Sequence, residues 1–248
     1  MIEVKHLWKN FGENEVLKDL NICIDKGETI AIVGSSGCGK TVFLKHILGL
    51  LEPDRGEVLV DGININKDSA HLFEVRKKFG MVFQSSALFD SLNVMENVII
   101  GLKEHFPDME RKKMENIGSD KLKLVGLDES SFDKKPQELS GGMKKRVAIA
   151  RAISLDPEYI IYDEPTTGLD PIMCEKMNNL MLHLKEKLDK TTLMVTHDLN
   201  SAFKVTDRIA MLSKGEIVFD GTPNEALKTR NTYMRKFIES SSLPTGNF

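Results

Sequence analysis

At 248 residues, with 41% hydrophobic and 29% charged side chains, the sequence has the composition of an ordinary globular protein. It is long enough for one large domain or two small ones. Its net charge of −3 excludes a general basic footprint for nucleic acid, no apolar run reaches the length of a membrane span, and three scattered cysteines (Cys23, Cys38, Cys174) offer no zinc spacing.

The start, MIEVKHLWKN, alternates and is charged. It lacks the apolar block of a signal peptide, so a cytoplasmic protein with reduced thiols is expected. Ile2–Leu7 reads as a strand by its alternation, and Thr29–Val33 (TIAIV) as a central strand covered on both faces. Thr41–Leu51 places Phe43, Ile47, Leu50 and Leu51 at helical spacing, with Pro53 ending the helix. From about Ala87 to Pro157 strand signals are few and Lys, Glu and Met are frequent, which predicts a mostly helical subdomain; its ERKK run at Glu110–Lys113 reads as a solvated helix face. Tyr159–Tyr162 and Thr191–Val195 are again buried-strand runs, with a long helix over Pro171–Leu188 between them. RIAMLSKGEIVFDG predicts two strands around a turn at Ser213–Gly215. Thr222-Pro-Asn-Glu225 resembles a capping box opening a helix at Asn224–Leu227. The tail after Tyr233 is polar, and a frayed or docking segment is expected. Strands alternating with helices predict an α/β fold with a largely parallel sheet: core at 1–86 and 158–224, helical insertion at 87–157, tail at 231–248.

The chemistry begins at Gly34-Ser35-Ser36-Gly37-Cys38-Gly39-Lys40-Thr41, which fits GxxxxGK[ST] between a buried strand and a helix. Glycines let the backbone turn tightly so that its N–H groups point at phosphate oxygens, and the helix N-terminus adds positive potential. Lys40 brings a charge to the β/γ-phosphates and Thr41 a hydroxyl to Mg²⁺. A chance glycine-rich turn is the bland alternative, weakened by the correct flanks. Asn66-Lys67-Asp68-Ser69 puts its carboxylate one position early for a guanine-reading NKxD motif and reads as a loop turn. Further on, the strand Tyr159–Tyr162 ends in Asp163 and Glu164. At a strand's carboxyl end the two acids can point apart, Asp163 toward Mg²⁺ and Glu164 toward an attacking water.

Leu139-Ser140-Gly141-Gly142-Met143, followed by KKRVAIARAI, closely resembles the LSGGQ signature of ATP-binding-cassette (ABC) ATPases. On its own chemistry, a Ser–Gly–Gly turn at a helix start is a second anion site. The resemblance covers residues 1–230 in order: Gln84 after GMVF matches the Q-loop, Gly168-Leu169-Asp170 the D-loop, and His197 after TTLMVT the switch histidine. Phe11 sits where the family places the aromatic that stacks on adenine, although Trp8 is close by and packing is the plain alternative. The resemblance implies a P-loop NTPase fold with a RecA-like mixed-sheet core, an antiparallel β subdomain and the inserted helical subdomain. It further implies ATP and Mg²⁺ as cofactors, with Thr41, Gln84 and Asp163 toward the metal and Glu164, His197, Gln84 and Lys40 toward catalysis. It also implies a head-to-tail homodimer in which each ATP lies between the phosphate loop of one subunit and Ser140–Gly142 of the other. Met143 departs from the family's usual Gln, so any amide contact there is lost while the backbone and Ser140 contacts remain. Cys38, beside a helix N-terminus and Lys40, is expected to be a reactive thiol that bound ATP protects, or simply a small residue that fits.

Within the family, one cassette, a short Lys40–Leu139 interval without heptads and few cysteines set the chain apart from fused, coiled-coil and zinc-bearing members. A transporter subunit working with separate permease subunits remains, its coupling helix docking near Gln84–Glu104. The run from Gln84 to Val94 (QSSALFDSLNV) and Met143 resemble the lipid-transport ATPases of the Mla/MCE type. That resemblance implies a place on the cytoplasmic side of a bacterial inner membrane, an MCE-type lipid-binding partner, and a tail, YMRKFIESS, that helps dimerisation. The alternatives are an importer ATPase for polar solutes such as amino acids, and a cassette that holds ATP without pumping.

Overall fold

The computed structural model describes residues 1–67 and 71–241. The chain divides into two compact bodies, Met1–Arg76 with everything from Lys185 onward, and Lys77–Leu184. The second is wider than the helical insertion marked out in the sequence at 87–157, because it also holds two strands and most of the long helix.

The first body opens with β1 (Ile2–Phe11) and β2 (Asn14–Ile24), then β3 (Thr29–Val33), α1 (Lys40–Ile47), β4 (Arg55–Val60), β5 (Ile63–Asn64) and α2 (Leu72–Lys77). β2, β1, β4 and β5 form a four-stranded antiparallel sheet in that order. Alternation puts Ile2, Val4, Leu20, Ile22, Ile24, Val58 and Val60 on its buried face. The alternation breaks where His6 (φ 48°) and Asp19 (φ 45°) bulge, and Leu7 and Leu17 stay buried beyond the breaks. That break hides β2 from a reading by period.

α1 ends earlier than the helix predicted over Thr41–Leu51. It stops at Ile47; the Leu48 N–H closes onto Leu44 O, and Gly49 turns at φ 61°. The glycine, not Pro53, terminates the helix, and Leu50 is exposed instead of facing the core.

The second body holds β6 (Phe79–Val82), α3 (Val94–His105), α4 (Arg111–Leu124), α5 (Gly141–Ala152), β7 (Tyr159–Asp163) and α6 (Pro171–Leu188) up to Leu184. β6 and β7 pair in parallel. α3, α4 and α5 pack on one another around Ile99, Leu102 and Met114, and α5 packs on β6. That last approach needs Gly80: a Cβ there would stand 2.2 Å from the Ala152 carbonyl oxygen. The ERKK run is exposed at the start of α4.

The chain then returns to the first body with β8 (Thr191–Thr196), α7 (Leu199–Val205), β9 (Arg208–Ser213), β10 (Glu216–Gly221), α8 (Pro223–Lys228) and α9 (Thr232–Glu239). β3 is central, parallel to β8 on one side and β9 on the other, with β10 antiparallel to β9. All five β3 residues and all six β8 residues are buried, as their mainly apolar and β-branched runs predict. The β9–β10 turn lies at Lys214 (φ 51°) and Gly215 (φ 87°), where two left-handed residues match strand twist. The Thr222–Glu225 capping box forms, opening α8. Part of the tail expected to fray is instead α9, with Met234 and Ile238 buried one turn apart and Asn231 capping it. The remainder of SSLPTGNF after its first serine lies outside the described residues, as do Asp68 and Ser69 of the NKDS run.

Candidate functional site

The first body carries the phosphate loop. β3 delivers the chain at Gly34, where an added Cβ would stand 2.3 Å from the Leu212 carbonyl oxygen on β9, so only a bare backbone passes. The loop then turns through Gly37 (φ 80°) and Gly39 (φ 110°) into the N-terminus of α1. Lys40, only 7% exposed, folds back and donates from Nζ to the carbonyls of Gly34 (2.7 Å) and Ser35 (3.1 Å), which shapes the loop as a cradle. Ser35 and Ser36 are exposed on the loop, Cys38 is half-buried behind it, and Thr41 presents its side chain to solvent. A glycine-rich run of backbone N–H groups, a cation and a helix N-terminus together fit a polyphosphate. At the end of β8, His197 is exposed. The chain after it is fixed by Asp198, which accepts from Asn200 N at 3.0 Å and whose own N–H donates to Thr196 Oγ1 at 3.0 Å. Phe11 ends β1 with 51% of its surface free and Lys9 Nζ at 5.6 Å from its ring centre. Trp8 is half-buried beside β4, at the pair Trp8–Arg55, so Phe11 is the aromatic with a free face.

The second body brings together Gln84, Asp163 and Glu164. Phe83, Gln84, Ser85, Asp163 and Thr167 line an open cavity of about 470 Å³. Oxygen donors of this kind, an amide and a carboxylate, suit a hard divalent cation that keeps other ligands from water and phosphate. Glu164 holds a left-handed backbone, φ 49°, costly for a non-glycine residue and typical of sites where geometry is enforced. Two contacts fix it: the Thr167 N–H donates to the Glu164 carbonyl (3.2 Å), and Thr167 Oγ1 donates to Glu164 Oε2 (3.3 Å). Thr167 was absent from the residues singled out in the sequence, although its place three after Glu164 in EPTTG is the spacing of a turn.

The signature turn is a capped helix start. Ser140 Oγ accepts from the Met143 N–H (3.3 Å) as N-cap of α5. Gly142 is buried, and a Cβ on it would meet Met173 Cε at 2.1 Å. Asp170 caps α6 in the same way, Oδ1 accepting from Met173 N at 2.9 Å.

Two further residues of this body are invisible to motif reading. Lys145, 5% exposed on α5, donates to the Gln84 carbonyl at 2.5 Å. Burial pulls its ammonium below the ordinary lysine range, opposed by the carboxylates of Asp163 and Glu164. Arg151, at the last turn of α5, donates to the carbonyls of Ser86 (2.8 Å) and Ala87 (2.6 Å). Nothing local in KKRVAIARA distinguishes these two cations from solvated ones.

The chain is similar to known proteins along most of its length. The ABC transporter family profile matches residues 17–167. A probable ribonucleotide transport ATP-binding protein, mkl, of Mycobacterium leprae is 42% identical over 96% of this chain, which spans 68% of that relative's length. The intermembrane phospholipid transport system ATP-binding protein MlaF of Haemophilus influenzae is 38% identical over 98% of this chain and 91% of its own. The dimeric structure of MJ0796, a bacterial ABC transporter cassette, superposes with a TM-score of 0.81 at 36% identity, covering 90% of this chain and 99% of that one. The same cassette is known as a post-hydrolysis dimer bound to ADP and Pi. The mixed sheet, the phosphate loop and the family match lead to one conclusion: the chain belongs to the ABC transporter ATP-binding family, whose cassettes bind ATP with Mg²⁺ and hydrolyse it.

Proposed function

We propose that this chain is the ATPase subunit of a bacterial transporter that moves phospholipid between membranes. It works as a head-to-tail homodimer on separate permease subunits, at the cytoplasmic face of the inner membrane, with an MCE-type lipid-binding protein as a further partner. The observation that carries this reading is the relation to MlaF across nearly the full length of both chains. Among the described residues no helix is long and apolar enough to cross a membrane. Phe83 beside Gln84 and Phe89 five positions on are both exposed, and offer apolar surface to a permease coupling helix. The exposed Tyr233 face of α9 is a candidate dimer contact.

Each residue's part follows from its chemistry. The N–H groups of Gly34–Thr41 and the Lys40 ammonium hold the β- and γ-phosphates, and Phe11 stacks on the adenine. Thr41, Gln84 and Asp163 would supply the protein's oxygen ligands to Mg²⁺, which would neutralise charge on the phosphate oxygens. Glu164 takes the proton from the attacking water, and His197 orients the water and the γ-phosphate. Ser140, Gly141 and Gly142 give the second subunit's phosphate contacts, with Asp170 beside them. Glu164→Gln is expected to lower phosphate release by roughly 10²–10⁴-fold while ATP binding persists and the MgATP-bound dimer accumulates on size exclusion. A variant that still hydrolyses ATP at near the parent rate would refute the role. The name of the mycobacterial relative favours a polar solute instead. Reconstitution with the permease, scored for phospholipid transfer against ribonucleotide or amino-acid uptake, separates the two readings.

A further inference from the structure

We propose that Lys145 and Arg151 are positioning residues that tie the place of Gln84 to the signature helix of the same chain. The loop that presents Gln84 is not relaxed: Ser86 (φ 65°) and Ala87 (φ 44°) are consecutive non-glycine residues in the left-handed region. Such backbone persists only where its surroundings over-determine it. Here the restraint is specific. Arg151 spreads its two terminal nitrogens onto the Ser86 and Ala87 carbonyls, and Lys145 takes the Gln84 carbonyl. Three carbonyls within four residues are therefore held by cations on one helix. These are charge-assisted bonds, the strong class; Lys145 is buried, and Arg151 is half-buried with its bond to Ala87 at the surface. Gly80 lets α5 lie close enough to β6 for the grip to reach.

The same helix starts at Ser140–Gly142. α5 thus joins the turn that reads a nucleotide to the loop that carries a proposed metal ligand, within one rigid element. Any influence of the turn's occupancy on the position of Gln84 is then matched by the reverse influence.

The inference rests on the proposed role of Gln84, and Gln84→Ala is the benchmark. ATP hydrolysis by the full chain is measured against Mg²⁺ concentration, with binding of a fluorescent ATP analogue as the second readout. Lys145→Met and Arg151→Met are expected to reproduce Gln84→Ala. In each, kcat falls by about 10-fold, the half-saturating Mg²⁺ rises, and analogue affinity stays within about twofold. Lys145→Gln, which keeps a donor for the Gln84 carbonyl, should recover most of the loss. If the methionine variants fail to fold, Arg151→Lys, which keeps the charge but loses the two-pronged grip, carries the same expectation. Wild-type kcat and Mg²⁺ dependence in the Lys145 and Arg151 variants, beside an impaired Gln84→Ala, would overturn the proposal. An unimpaired Gln84→Ala would overturn the role of Gln84 itself, and the proposal with it.

Discussion

Asn97 offers a direct measure of how firmly the loop after Gln84 is built. It is fully buried on α3, and its side chain serves the loop backbone four times. Oδ1 accepts from Phe89 N (2.8 Å), and Nδ2 donates to the carbonyls of Phe89 (3.1 Å), Leu92 (3.2 Å) and Asn93 (3.0 Å). Asn97→Leu removes all four without leaving a large cavity. Two of the abandoned carbonyls keep other donors: Phe89 O holds Leu92 N at 3.1 Å, and Asn93 O holds Asn97 N at 2.9 Å. The loss falls on the Phe89 N–H and the Leu92 carbonyl. Each stranded group costs about 1–3 kcal/mol, and Phe89, half exposed, lies at the low end because water can reach it. A net loss of about 2–4 kcal/mol follows, or on the order of 5–15 °C in the melting temperature of the protein. Asn97→Asp should fare no better, because a carboxylate would face the Leu92 and Asn93 carbonyls. Thermal melting followed by circular dichroism gives the answer, and an Asn97→Leu protein melting within a degree of the parent would show that the loop does not depend on these bonds.

In the phosphate loop, Gly34→Ala must force two backbones apart at the Leu212 carbonyl, whereas Gly37→Ala meets nothing within 4 Å and bears only the left-handed backbone penalty of about 1–3 kcal/mol. Nucleotide-free Gly34→Ala should therefore melt well below Gly37→Ala, and the reverse order would discredit the close approach. His46 sets a pH dependence. Burial pushes its imidazole below the ordinary 6.5, opposed by its bond to the Val42 carbonyl. Below about pH 6.5 the unfolded chain takes a proton that the folded one refuses, so stability present above that pH is lost as pH falls toward the depressed value. Asp54, lowered by its bonds to Lys9 and the Asn10 N–H, adds its loss only in the acid range below the usual 3.8. His46→Leu should flatten the fall in melting temperature between pH 7.5 and 5, and parallel slopes in the two proteins would contradict the assignment.

What the sequence determined by itself was whatever is encoded within a few neighbouring residues. β3 and β8 are runs of apolar and β-branched residues, so their burial was legible, and with it the placing of the phosphate loop after the one and of His197 at the end of the other. The Ser140 cap and the Thr222–Glu225 box are likewise local, since a side chain closes on an N–H three residues away. The tertiary structure decided the rest, because its partners are remote in the chain. β2 is set by its pairing with β1 across a bulge at Asp19 that breaks its period. α1 ends where Gly49 can turn, with Leu50 freed from a core that its spacing alone suggested. Lys145 reaches the Gln84 carbonyl from 61 positions away and Arg151 the Ser86 carbonyl from 65. In the linear chain those two cations are indistinguishable from solvated ones. Only packing of α5 against β6 buries Lys145, half-buries Arg151 and gives their charge a backbone to hold.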